Sequence, residues 1–222
     1  MCGRFTLHSR LNLLLQQFAI DAGPDWAPRY NIAPTQLSLV VRETAEGRRE
    51  LVPLRWGLVP SWAKEPSIGH RMINARAETV AEKPSFRTAF KRHRCIVPAD
   101  GYYEWQRTES GKQAYYFRPR ADERLAMAGL WESWHADQPD ALETFTILTT
   151  DANEATRGIH DRMPVFLSSE HYDLWLDPEF QAAAPLQALL HPAPVELLRF
   201  HRVSSLVNNP RHEDPDCITP IE

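Results

Sequence analysis

The feature that most restricts the fold of this chain is a succession of short β-like runs with no helix pattern repeated between them. Leu37 to Val41 and Glu50 to Leu58 flank a Glu-Gly-Arg-Arg turn, and Tyr102 to Gln106 returns through Ser110-Gly111 into Ala114 to Arg118. Cys95 to Pro98, Leu125 to Trp134, Thr144 to Thr150 and Glu196 to Val203 add further runs. Parallel strands need long crossovers, usually helical, whereas turns of a few residues join antiparallel neighbours. The pattern therefore predicts an α+β fold: a largely antiparallel sheet or partly closed barrel with peripheral helices. The helices are expected at Ser9 to Phe18, with Ser9 as N-cap, and at Ser85 to Arg92, Ala152 to Ile159 and Glu170 to Leu176. Prolines bracket Ala27 to Thr35, which reads as a fixed irregular segment rather than a helix or central strand. With no internal repeat and no long linker, a single domain spanning 1–222 is expected.

Composition decides among broad classes. Hydrophobic residues at 43% and charged residues at 24% describe an ordinary globular chain rather than a disordered one. No apolar run approaches a membrane span, so a cytoplasmic protein is the expectation. Three scattered cysteines, Cys2, Cys95 and Cys217, neither form a disulfide framework nor show a zinc spacing, so no metal or cofactor is expected. The net charge of −4 conceals an asymmetry: Arg71 to Arg94 holds seven lysines and arginines against two glutamates. Such a segment is either a solvated face or a phosphate-binding groove.

Six residues offer chemistry. Removal of Met1 would leave Cys2 with a free α-amine and a thiol on adjacent carbons. That pair can condense with an aldehyde to a Schiff base and close to a thiazolidine; a cysteine at position 2 is also what a frayed terminus can carry. Glu104 alternates with Tyr103 and Trp105 and shares a strand face with Tyr102 and Gln106. On an apolar pocket side its pKa would rise, suiting it to proton transfer; on the other side it is a solvated glutamate. His160, in Gly158-Ile159-His160-Asp161-Arg162-Met163-Pro164, is a candidate proton shuttle. Asn74 and Arg76 share a face if their stretch is extended, so an amide could hold an amine or a sugar while a guanidinium meets a phosphate. Trp62, between Pro60-Ser61 and Ala63-Lys64, could stack on an exposed base or belong to the core.

Taken in order, Met1-Cys2-Gly3-Arg4-Phe5, Arg29 to Thr35, Trp56-Gly57-Leu58 with Pro60-Ser61-Trp62, Ile73 to Thr79, Pro98 to Trp105 and His160 to Pro164 closely resemble the SRAP family, the SOS-response-associated peptidases or abasic-site processing proteins. The resemblance implies a single SRAP-type domain that captures abasic sites in single-stranded DNA covalently, as a monomer, without a membrane, in the cytoplasm and at the nucleoid when bound. By position it makes Cys2 the crosslinking residue, Asn74 the positioning amide, Glu104 the catalytic acid and His160 the proton-transfer histidine. Arg4, Trp62, Arg76 and Arg162 fall where the family contacts DNA. One departure is visible: some relatives carry two aromatics where Trp62 is followed by Ala63.

Two other readings use the same residues. Glutamine amidotransferases also begin Met-Cys-Gly and cleave an amide with an N-terminal cysteine, which leaves the basic, tryptophan-bearing middle unexplained. A non-enzymatic single-strand binder would use the basic and aromatic residues and leave Cys2 idle.

Overall fold

The computed structural model describes residues 2–109 and 111–222. Met1, and the Ser110 half of the expected Ser110-Gly111 turn, lie outside the described residues. The strands are β1 (Phe5–Leu7), β2 (Arg29–Ile32), β3 (Leu37–Glu43), β4 (Arg49–Trp56), β5 (Asn74–Arg76), β6 (Arg94–Ala99), β7 (Gly101–Thr108), β8 (Gly111–Pro119), β9 (Leu125–Trp134), β10 (Leu142–Asp151), β11 (Arg162–Pro164) and β12 (Leu198–Arg202). Short helices α1 (Leu11–Phe18), α2 (Arg87–Arg92), α3 (Tyr172–Leu176) and α4 (Ala183–Ala188) lie around them. The class is α+β, as the strand pattern predicts. No helix among the described residues is long and apolar enough to cross a membrane.

The strands form two sheets. One is antiparallel in the order β12-β8-β7-β1-β2. In the other, β4-β3-β6-β9-β10 closes on itself, because β10 pairs with β9 along one edge and in parallel with β4 along the other. The rest of β10 takes β5 in parallel and β11 in antiparallel register. β10 is thus the one strand that holds both the β5 edge and the β11 edge in fixed register.

The main core lies between the sheets and contains Phe5, Trp56, Tyr102, Phe117, Met127 and Phe145, all essentially inaccessible. Phe5 meets the edge of Trp56 at 5.1 Å, and Trp56 stacks on Phe145 at 6.3 Å. Burying an aromatic of this size stabilises the fold by roughly 2–3 kcal/mol, so β1 is fixed only three residues downstream of Cys2. A second cluster, Tyr103, Ala114, Tyr116, Val203, Val207 and Cys217, lies on the other face of β7 and β8. The alternation along β7 therefore sends Tyr102 and Glu104 inward and Tyr103 and Trp105 under the C-terminal segment.

Several expected elements are corrected. Helix α1 begins after Arg10, not Ser9. Ser9 Oγ bonds Asp100 instead, and the same carboxylate accepts the backbone N–H groups of His8 and Ser9 at 2.6 and 2.7 Å. Residues 152–159 form turns rather than a helix. Asn153 Oδ1 accepts from the Thr156 N–H and hydroxyl, both at 3.1 Å, and its Nδ2 donates to the Ala193 carbonyl at 2.9 Å, capturing the backbone before a helix can propagate. Arg29–Ile32 is a strand, but at the sheet edge, where flanking prolines cost no ladder bonds. After β4 the chain turns through Gly57 at φ +120°, where a Cβ would stand 2.6 Å from the Gly69 carbonyl. Only glycine allows that approach, which sets the start of the loop carrying Trp62.

Candidate active site

β1 fixes the N-terminus. Phe5 pairs with Tyr102, and the Tyr103 N–H donates to the Arg4 carbonyl at 2.9 Å, so the residues before β1 continue antiparallel to β7 toward Glu104. Cys2 has no exposed surface. Burial pushes its thiol well above the ordinary cysteine range, and the charge of Glu104 raises it further. The sulfur therefore rests as a neutral thiol and needs a base when it adds to a carbon.

Asn74 comes from the opposite sheet. Its strand β5 runs parallel to β10 with Asn74 beside Ile147, and Nδ2 donates to the Cys2 carbonyl at 2.8 Å. A carbonyl only accepts, so this contact fixes the amide orientation and leaves Oδ1 as an acceptor. Oδ1 is buried and finds no hydrogen-bond partner among the described residues. An orphaned buried acceptor costs about 1–3 kcal/mol, and an amine N–H of Cys2 is the kind of donor that would satisfy it. Arg76 follows on the same strand face and is exposed.

Glu104 lies 3% exposed on the inward face of β7. Desolvation pushes its carboxyl up to about 7, so near neutrality it is present both as acid and as base. His160 Nε2 stands 4.0 Å from Glu104 Oε2. The Arg162 N–H donates to His160 Nδ1 at 3.0 Å, which leaves the hydrogen of the neutral ring on Nε2, facing the carboxyl. Asp161 Oδ1, 86% exposed in its side chain, lies 2.9 Å from the same Nδ1 and becomes an acceptor for it when the ring is protonated. Burial lowers the His160 pKa, favouring the neutral ring. Cys2, Asn74, Glu104 and His160 are thus gathered from four chain segments into one partly desolvated cluster.

The residues expected around DNA fare differently. Trp62 is 59% exposed beside the Pro60 turn. Ala63 points inward against Val59 and Trp134, and its carbonyl accepts the Trp134 indole N–H at 2.7 Å. Position 63 therefore supplies packing here. Arg4 Nη1 donates to Asn31 Oδ1 at 2.6 Å and to the Val207 carbonyl at 2.7 Å. Arg162 grips Glu78 through two bonds of 2.8 and 2.9 Å and Asp151 at 2.7 Å, so a phosphate reaching it must compete with two carboxylates. The basic run is also not one groove. Arg94 is buried, its guanidinium donating to the carbonyls of Phe90, Lys91, Trp175, Asp177 and Phe180. Arg92 borders a cavity of about 750 Å³ with Glu43, Glu46, Glu50, Asp177 and Glu179, apart from the four gathered residues.

Two residues of the site carried no assigned role in the sequence. Asn31 is fully buried and ties Arg4 to the C-terminal segment, its Nδ2 donating to the Asn209 and His212 carbonyls at 3.0 and 2.7 Å. Gln106, a face-mate of Glu104 by alternation, donates from Nε2 to the Gly158 carbonyl at 2.9 Å. No group of three or more His, Cys, Asp or Glu side chains able to hold a metal occurs among the described residues.

Residues 1–210 match the family model of the SOS response associated peptidase (SRAP). The chain is 44% identical over 222 residues to the abasic site processing protein YoqW of Bacillus subtilis, covering 98% of this chain and 99% of that one. It is 33% identical to the abasic site processing protein HMCES of Mus musculus, over 100% of this chain and 76% of the relative. Among solved structures, a protein from Bacteroides thetaiotaomicron superposes with a TM-score of 0.88 at 26% identity, covering 100% of both chains.

Proposed function

The chain belongs to the SRAP family of SOS response associated peptidases, and from that premise we propose that it processes abasic sites in single-stranded DNA by covalent capture on Cys2. The named relatives are abasic site processing proteins. The observation that carries the reading is the buried Glu104 carboxyl, raised to about 7, beside both the Cys2 thiol and His160. Met1 must first be removed, which gives the family's peptidase activity a substrate within the chain itself.

The ring-opened abasic sugar presents an aldehyde at C1′. An α-amine with a pKa near 7.7–8.0 is roughly one-tenth neutral at pH 7, enough to attack without extreme tuning. Asn74 holds the Cys2 carbonyl through Nδ2 and offers Oδ1 to the amine, so nitrogen and sulfur face one carbon. Attack forms the C1′–N bond and a carbinolamine. Protonation of its hydroxyl by Glu104 or His160 expels water and leaves the Schiff base. The Cys2 sulfur then adds to the same carbon, its proton passing to the Glu104 carboxylate while the former imine nitrogen takes one up, and a thiazolidine closes. Aldehyde plus aminothiol thus give thiazolidine plus one water. Closing the ring removes the imine that would otherwise permit β-elimination, so capture shields the strand from lyase-like cleavage.

Intact mass spectrometry before and after incubation with abasic single-stranded DNA tests this. The expected product is the chain without Met1, plus the oligonucleotide, minus one water. No adduct, or a heat-stable adduct retained by Cys2→Ala, would overturn it. An amidotransferase would use the same terminus but leaves the exposed Trp62 without a role. Glutaminase activity would revive that alternative.

A further inference from the structure

Glu104 and His160 belong to different parts of the chain, and among the described residues one side chain links their supports directly. On β7, Gln106 follows Glu104 by two residues and shares its face; on β8, Tyr115 lies directly opposite Glu104. The Tyr115 hydroxyl donates to Gln106 Oε1 at 3.1 Å, and Gln106 Nε2 donates to the Gly158 carbonyl at 2.9 Å. Gly158 precedes His160 by two residues, in a turn closed by the Ile159 and His160 N–H groups on the Thr156 carbonyl at 2.9 and 3.1 Å.

The amide can be oriented in only one way. The Gly158 carbonyl accepts and never donates, so Nε2 must face it; Oε1 then faces a hydroxyl free to donate. Asn153 secures the start of the turn through Ala193, and Arg162 orients the imidazole from behind. Gln106 supplies a further tie, between the histidine turn and the strand that bears the glutamate. We propose that Gln106, oriented by Tyr115, is a positioning residue that sets the distance between His160 and the Glu104 carboxyl for proton transfer. This rests on the reading of Cys2, Glu104 and His160 as the capture site.

Gln106 touches no reacting atom, so its effect must pass through His160. Gln106→Leu keeps the size of the side chain and removes both bonds. It should slow adduct formation by about tenfold or more, as a displacement of the order of 1 Å does in positioned reactions, while the Kd for abasic single-stranded DNA stays within about twofold. The decisive measurement is a double-mutant cycle with His160→Ala. If Gln106 works through His160, Gln106→Leu costs little or nothing in the His160→Ala background. Tyr115→Phe, which removes one bond and disturbs the strand less, should show a smaller loss that also vanishes there, and it carries the test if Gln106→Leu does not fold. An unchanged rate in both variants, or the same loss with and without His160, would overturn the assignment. Absence of any adduct from the unsubstituted chain would instead overturn the capture reading on which it rests.

Discussion

Asn74 Nδ2 donates to the carbonyl oxygen of Cys2 at 2.8 Å, so a strand attached to the closed barrel holds the backbone of a residue that enters along the other sheet. The bond crosses 72 positions of sequence. It gives Cys2, close to the end of the chain and so in what is ordinarily its least constrained part, a fixed address beside Glu104.

Replacing Asn74 should therefore separate holding from chemistry. Asn74→Ala removes the donor to Cys2 and the buried Oδ1 together, and stability should change by no more than about 1–2 kcal/mol, since the lost bond is offset by relief of the orphaned acceptor. Adduct formation should nevertheless fall by at least tenfold. Asn74→Asp sets a carboxylate against the Cys2 carbonyl and should be slower still. Gel-based rates on abasic DNA and a denaturant melt of each variant check this; an Asn74→Ala variant as fast as the parent would remove Asn74 from the mechanism.

Glu104 makes stability and activity oppose each other in a pH-dependent way. Its folded pKa of about 7 lies above the ordinary glutamate value of 4.5, so the folded state binds the proton more tightly than the unfolded one. The stability associated with the protonated carboxyl is complete below the unfolded value and is lost as pH rises through the folded value. By linkage the loss across that window is on the order of 3 kcal/mol. Glu104→Gln should accordingly melt higher than the parent at pH 8, the difference shrinking as pH falls toward 5, while adduct formation is lost at every pH. Paired melts at the two pH values check the sign, and a gap that widens on acidification would contradict it.

Arg94 lies in the most basic stretch of the sequence yet serves the interior. It draws together carbonyls of α2, of α3 and of the segment after α3, and burial lowers its pKa to about 10 against the opposing charges of Asp177 and Glu43. Arg94→Met should destabilise the fold by about 3 kcal/mol or more, because several buried carbonyls lose their donor at once. Where the variant remains folded, its affinity for single-stranded DNA should match the parent's. A drop in affinity without a drop in stability would return Arg94 to the binding surface.

What was legible in the sequence followed locality. Leu125 to Trp134 is strand β9 over those same residues because a long apolar run between turn signals has few alternatives. The inward direction of Glu104 was not decidable from alternation, since the aromatic residues on both faces of β7 are buried, one set in the core and the other under the C-terminal segment. Closure of the barrel depends on β10 pairing with β4, a register no local pattern encodes. The helix expected at 152–159 failed because Asn153 satisfies the turn with its own side chain. For Arg94 and Arg162 the charge is visible in the sequence, but the carbonyls and carboxylates that meet it are distant along the chain.

Trp62 is the clearest remaining case for a direct DNA contact, because it is the large apolar side chain left most exposed in the described structure. Its indole stands on a turn braced from beneath by Ala63, whose carbonyl is held by Trp134. An exposed ring on a braced turn is suited to base stacking, which is worth about 1–3 kcal/mol per base. Trp62→Ala should weaken binding to intact single-stranded DNA by roughly five- to a hundredfold, with melting temperature unchanged or slightly raised as apolar surface leaves solvent. At saturating abasic DNA the rate of adduct formation should stay near the parent's, since Trp62 is absent from the proton-transfer set. Fluorescence anisotropy and single-turnover rates on the same oligonucleotide separate the two effects. A variant that binds normally but reacts slowly would place Trp62 in the chemistry instead of the docking surface.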